Sequence, residues 1–423
     1  MRLNPLFRLP FFVFLLLLGG TGYAHRIFSK AVPPRDTASQ SQQTSKGAAS
    51  NAKATVDKAM LADLELLVQD ARTRHRIPSL VVGLLDGGRV VLEKAYGTDP
   101  LYTFAKNEKS NSYILGAISQ VYTGYGLLVL EQQERVKLTA PVSRYLPNVP
   151  AAWQSVTIEQ LLAHATGIPE FPKDASSFSK AVDAVSDTPL RFAPGTARYL
   201  NYSDYDILGQ VIEKASGRSY LKFMQDAVFN RLKLNTTGDA ASLLAFRFAA
   251  PQDVRTTGVA NLTRSSGEVA AGTASGRRTD SDAQRETLRI MTGGLPDYSI
   301  PSKGLVGTVG DLLKLASILG SGSLPGIAST PLYMKVAPGW NVCRAGDELL
   351  LKAHGMTSSG FAAVVDIIPG RKSGLVILYK LEPGSDVTDL RQENEDILDQ
   401  ILAFPVADMK CNLDPTETED PNP

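Results

Sequence analysis

The side chains in this chain that could carry acyl chemistry form a short set. Three Ser-x-x-Lys pairs, Ser50 with Lys53, Ser177 with Lys180 and Ser219 with Lys222, have a spacing that puts a hydroxyl beside an amine on one helix face. There the amine can take the hydroxyl proton. None has the setting this chemistry needs: Ser50 lies in a Ser/Gln/Ala/Thr-rich stretch, Ser177 in a polar loop region, and Ser219 just past a helix that stops at Gly217. Ser119 stands near the start of a further helix. Tyr199 and Tyr202 are candidate proton carriers, although a phenol with a pKa near ~10 acts as a base only beside a cation that lowers it. His164 and His354 supply imidazoles, and Asn201 an amide that could hold a substrate.

The elements that must position these groups are legible as patterns. Met60, Leu61, Leu64, Leu67, Val68 and Ala71 recur at helical spacing, giving an amphipathic first helix that ends before Pro78. Apolar runs at 80–85 and 89–93 flank Asp86-Gly87-Gly88, a hairpin signal. Thr157 with Gln160 three residues on reads as a capping box. A helix over 204–216 places Ile207, Leu208, Val211 and Ile212 on one face. Runs at 361–368 and 375–379 turn at Pro369-Gly370 and read as paired strands, and a last helix spans 388–404. The stretch 240–294, rich in Ser, Thr, Ala, Gly and Arg, reads as a loop-dominated insert.

From Gly116-Ala117-Ile118-Ser119-Gln120-Val121-Tyr122-Thr123 to Ala140-Pro141-Val142-Ser143-Arg144-Tyr145-Leu146-Pro147, the chain resembles the active-site helix of the serine β-lactamase and penicillin-binding-protein family, in its class C and esterase-like branch. Relatives read Gly-Ser-x-Ser-Lys there. The resemblance continues through His164-Ala165-Thr166-Gly167-Ile168-Pro169, Lys303 to Leu312, and His354 to Phe361, and so covers about 57–404. It implies an α/β (α+β) fold, an antiparallel sheet flanked by helices with an inserted, mostly helical subdomain. It also implies that the nucleophile falls at Ala117 and its lysine base at Gln120. Alanine has no nucleophile, and an amide is no base near neutral pH. Gln120 can still hydrogen-bond its neighbours, so the pocket is expected to keep its shape while losing its reaction.

Two further motifs carry over. The family's Tyr-x-Asn stands as Tyr199-Leu200-Asn201, with Tyr202-Ser203-Asp204 as a rival register; the resemblance implies a proton-carrying tyrosine and a substrate-contacting asparagine. The family's Lys/His-Thr-Gly stands as His354-Gly355-Met356. His354 becomes a pocket-wall residue, and Met356 is expected to fill the space that glycine leaves for substrate. Tyr199, Asn201, His354 and Met356 are thus the candidate binding residues. Ser119, two positions past Ala117, points about 200° away around the helix and suits a supporting role better than a nucleophile's. His164 reads as a polar structural residue. The function expected is a binding protein in which acyl-serine catalysis is lost; the alternative is a hydrolase, esterase or acyltransferase using Ser119, Tyr199 or a held water.

With 423 residues, 43% hydrophobic content and a net charge of +1, the chain can bury a large core, and its charge gives no case for nucleic acid. A ligand that is a small molecule, a peptide or a cell-wall-like fragment fits instead. No cofactor or metal is indicated: the sequence has neither metal-ligand spacing nor a glycine-rich phosphate loop. Residues 1–24 read as a signal peptide or, if uncleaved, a membrane anchor, the only expected contact with a membrane; export is the consequence. Residues 25–56 read as a disordered linker, 57–410 as the family domain (57–105 and 300–410 the α/β part, 106–299 the helical part), and 411–423 as an acidic tail. Cys343 and Cys411 form either a disulfide or two unrelated thiols.

Overall fold

The structure, a computed structural model, describes residues 56–100, 106–241, 294–322, 338–382 and 388–412. All fall in one compact unit, Lys53–Pro423. The expected export segment and linker up to residue 55, nearly all of the insert and the tail beyond 412 lie outside the described residues.

Helix α1 (Lys58–Arg74) is capped by Asp57, whose carboxylate accepts the N–H groups of Ala59 and Met60 at 2.8 and 2.9 Å. Strands β1 (Ser79–Asp86) and β2 (Arg89–Gly97) follow as the expected hairpin, and β3 (Tyr113–Ile114) leads through a 3₁₀ turn, Gly116–Ile118, into α2 (Ser119–Gln132). Helix α3 (Ile158–Leu162) starts with the capping box read from sequence. Then come α4 (Phe178–Val185), α5 (Tyr202–Ser216), α6 (Tyr220–Met224), α7 (Asn230–Leu232) and β4 (Gly238–Asp239). A wide turn, Ile300–Gly304, precedes β5 (Leu305–Gly307) and α8 (Val309–Gly320). The rest is β6 (Asn341–Ala345), β7 (Glu348–Met356), β8 (Phe361–Ile368), β9 (Ser373–Lys380), α9 (Thr388–Leu402) and β10 (Lys410–Cys411).

The strands form a seven-stranded antiparallel sheet, ordered β10-β6-β7-β8-β9-β1-β2, and a small sheet ordered β3-β5-β4. Because successive strand residues point to opposite faces, the large sheet feeds two cores. Val81, Leu351, Val365 and Val376 pack with residues of α2, α5 and α8, while Val82, Leu350, Val364 and Ile377 pack with Leu64 and Val68 of α1 and Ile397, Leu398 and Ile401 of α9. This is the α/β architecture expected from the resemblance. Two details differ. Helix α5 starts at Tyr202 rather than Asp204, because Asn201 caps it by accepting the Ser203 N–H at 2.8 Å. The C-terminal segment does not become tail at residue 411: Cys411 pairs with Cys343 in the β10–β6 ladder, and a disulfide joins the two.

Candidate functional site

The turn before α2 is held from three sides. Leu115 donates its N–H to the Leu305 carbonyl at 2.8 Å, and the Leu305 N–H is bonded by the Ser119 hydroxyl oxygen at 3.0 Å. On the third side the turn meets β7. Gly116 has φ +55°, and a Cβ there would lie 2.8 Å from the Met356 nitrogen. A Cβ on Gly355 would lie 2.2 Å from the Leu115 oxygen and 2.6 Å from the Ala117 nitrogen. Backbone thus lies directly on backbone, a packing that only two facing glycines allow. Ser119 is wholly buried with its oxygen engaged by a main-chain donor. It is a supporting residue, with no access to a substrate.

Ala117 and Gln120 line a cavity of about 540 Å³. Gln120 Oε1 lies 3.0 Å from His164 Nε2, which carries the proton in this amide orientation. His164 Nδ1 then accepts the Asn201 N–H at 3.3 Å and faces Asp204 Oδ2 at 3.4 Å. Asp204 is fully buried, and its other oxygen accepts the Thr166 hydroxyl at 2.7 Å. Burial pushes the Asp204 carboxyl up, and the Thr166 hydroxyl draws it back. His164 itself sits at φ +54°, in the left-handed region, a strained conformation that the surrounding bonds hold in place. The position of the missing base therefore belongs to a buried polar chain running from Gln120 through His164 to Asp204.

Tyr199, Asn201 and His354 line the same cavity, as does Tyr202. The Arg191 guanidinium lies 4.4 Å over the Tyr199 ring, and the Lys303 ammonium 4.4 Å over the Tyr202 ring. Asn201 is almost fully buried, and its side chain is committed at both ends: Nδ2 donates to the Ile168 carbonyl at 2.6 Å, and Oδ1 caps α5. One N–H and one oxygen lone pair of its amide are thereby used by structure, while the residue stays in the cavity wall. The Tyr202 N–H donates to Glu170 Oε2 at 3.0 Å. Burial pushes both Glu170 and Tyr202 up; Lys303 and that N–H draw Glu170 back, whereas Glu170 raises Tyr202 further.

On β7, His354 Nε2 lies 2.9 Å from Oδ1 of Asp366, a fully buried carboxylate on β8. Met356 departs from expectation. It stands at the end of β7 opposite Ala362, is 46% exposed, and lies outside the cavity lining. The close approach to this strand is made by Gly116 and Gly355 instead, so the methionine side chain fills no ligand space.

Sequence reading missed much of the wall. Glu170, Lys173, Arg191, Arg198, Trp340 and Lys352 all line the cavity, yet none sits in a motif. Trp340 follows a segment outside the described residues, and the two arginines lie in a loop with no periodicity. Cys411 and Asn412 also line the cavity, so the disulfide anchors part of its rim. Among the described residues no group of His, Cys, Asp and Glu could hold a metal ion, and no helix is long and apolar enough to cross a membrane.

The fold and this arrangement define a β-lactamase/transpeptidase-like protein. The sequence model of the Beta-lactamase family matches residues 64–398, and the chain belongs to that family. Protein flp of Staphylococcus aureus (strain NCTC 8325 / PS 47) is 25% identical over 185 residues, 41% of this chain and 37% of flp. Teichoic acid D-alanine hydrolase of Staphylococcus aureus is 25% identical over 158 residues, 37% of this chain and 40% of the hydrolase. The matched region thus spans well under half the length of either relative. Among solved structures, the octameric penicillin-binding protein homologue from Pyrococcus abyssi superposes with TM-score 0.60 at 18% identity, covering 82% of this chain and 78% of that one. The class C beta lactamase from Rhodobacter sphaeroides gives 0.59 at 19% identity, covering 82% of this chain and all of that one. At these identities the structural likeness establishes the fold.

Proposed function

We propose that this protein is an exported, ligand-binding member of the family that has lost acyl-serine catalysis and uses the former active-site cleft to hold a small molecule, a peptide or a cell-wall-like fragment. The observation that carries this reading is the pairing of Ala117 and Gln120 in the lining of a cavity of about 540 Å³. A void of that size suits a drug-sized ligand, and the two positions that would react with one carry a methyl group and an amide. The amide is bonded to His164, which faces Asp204, so the position of the lost lysine is built into a buried polar cluster. Removing the nucleophile of another serine hydrolase lowers turnover by about a millionfold.

The competing reading is a hydrolase, esterase or acyltransferase with another nucleophile. It draws on Tyr199, which lies beneath the Arg191 guanidinium, and on similarity to a D-alanine hydrolase. Incubating the purified protein with excess penicillin and an activated ester, followed by intact-mass measurement, separates the two. The binding reading expects an unchanged mass. An adduct that maps to one residue would establish the competing reading and name the nucleophile.

A further inference from the structure

Building on the reading of the cleft as a binding site, we propose that its ligand is a small molecule with a doubly negative head, a phosphate monoester or a dicarboxylate, and an apolar body. Charge is unevenly distributed over the molecule. The whole chain is nearly neutral, at +1, yet the cavity is lined by Lys173, Arg191, Arg198, Lys303 and Lys352 against the single carboxylate of Glu170 among the described lining residues. The imbalance is local, and a concave wall of low dielectric concentrates its field.

Some of these cations are answered by protein. Lys352 bonds Glu395 at 3.0 Å, and Lys303 acts on Glu170. Lys173 and Arg198 have no carboxylate partner among the described residues, and both side chains belong to exposed residues. Two unanswered positive charges at one cavity match one dianion.

The loop that carries the two arginines is laid out in advance. Main-chain bonds tie Arg191 to the Gly167 carbonyl at 2.7 Å, Gly195 to Ala165 at 2.7 Å and Tyr199 to His164 at 2.9 Å. The contact is so close that a Cβ on Gly167 would lie 2.3 Å from the Phe192 oxygen. The loop's backbone is therefore fixed to the segment that carries His164, so binding requires little ordering of the main chain. Behind the cations, Leu162, Leu200, Trp340 and Ala353 supply apolar wall, which fits a ligand body without charge.

The test uses the fluorescence of Trp340, which lies in the cavity wall, whereas the other tryptophan, Trp153, lies outside the cavity lining. The protein is titrated with phenyl phosphate, phenylmalonate and the neutral benzyl alcohol, and the titrations are repeated with the Lys173→Ala/Arg198→Ala double variant. Both sites are exposed, and an unchanged melting temperature verifies the fold of the variant. At least one dianion is expected to bind at least tenfold more tightly than benzyl alcohol and to lose at least tenfold in the variant, as charge-assisted contacts are removed. The stronger of the two dianions distinguishes phosphate from dicarboxylate. Equal binding of benzyl alcohol, no binding of any probe at millimolar concentration, or an indifferent double variant overturns the proposal. A chain that binds only the neutral probe and forms no acyl adduct would keep the binding function and lose this ligand class. An acyl adduct, by contrast, would overturn the binding function whatever the charge preference.

Discussion

Substituting alanine at Gly355 probes the contact that sets the floor of the cleft. The added Cβ would stand 2.2 Å from the Leu115 carbonyl oxygen and 2.6 Å from the Ala117 nitrogen, whereas nonbonded heavy atoms rest at roughly 3.5 Å. Relief requires a displacement of about 1 Å between β7 and the turn at Gly116–Ile118, and neither side has a flexible side chain that could give way. Overpacking of this kind costs about 1–3 kcal/mol. Because both partners are backbone, the upper end applies. With an unfolding entropy of ~2 cal/mol/K per residue, that loss lowers the melting temperature of a domain this size by roughly 4 °C. Gly370→Ala is the matched control, since a Cβ there meets nothing within 4 Å. Differential scanning calorimetry of both variants beside the parent reads the difference. The structure expects a clear drop for Gly355→Ala and almost none for Gly370→Ala. Equal melting temperatures for the two variants would show that the turn and the strand are not packed as described.

Three other outcomes follow from the buried groups. Asp206 is fully buried, and its carboxyl is pushed up to about 8, by burial first. The folded state therefore holds a proton that the unfolded chain releases near ~4, so this residue's contribution favours folding least at high pH. Stability falls by on the order of 5 kcal/mol as pH rises from 4 through 8, and Asp206→Asn flattens that slope in denaturant titrations run across the range. Ser119→Ala removes the oxygen that bonds the Leu305 N–H and is expected to cost about 1–3 kcal/mol by chemical denaturation, with no change in labelling by any acylating agent. Reducing Cys343–Cys411, which are 68 residues apart, is expected to destabilise the protein by about 4 kcal/mol on the loop-entropy model; a melting temperature that is unchanged by reductant would contradict it.

The fold was largely legible because its elements bury apolar stripes. The Asp86-Gly87-Gly88 hairpin, the Thr157–Gln160 capping box and the paired runs at 361–368 and 375–379 all appear as read. Strand β6 escaped notice because Asn341–Ala345 lacks a clean alternation, and β10 is two residues held by a disulfide whose partner lies 68 positions away. At the site, Ala117 and Gln120 were legible because their neighbours keep a recognisable pattern. The consequences of replacing them were not. That Gln120 meets His164, 44 positions away, and that Asn201 spends its amide on a helix cap and the Ile168 carbonyl, depend on contacts that no local spacing encodes. The cationic wall was missed for the same reason: Lys173, Arg191 and Arg198 are ordinary loop residues until the chain folds them around one cavity.

The most direct measurement of the central claim, a cleft preserved without its reactive pair, is intact mass after penicillin or activated ester for the parent and for an Ala117→Ser/Gln120→Lys variant side by side. No adduct is expected on the parent, and a covalent acyl adduct, mapped to the introduced serine, is expected on the variant. An adduct on the parent, or a variant that folds with the parent's melting temperature and remains unlabelled, would contradict the claim.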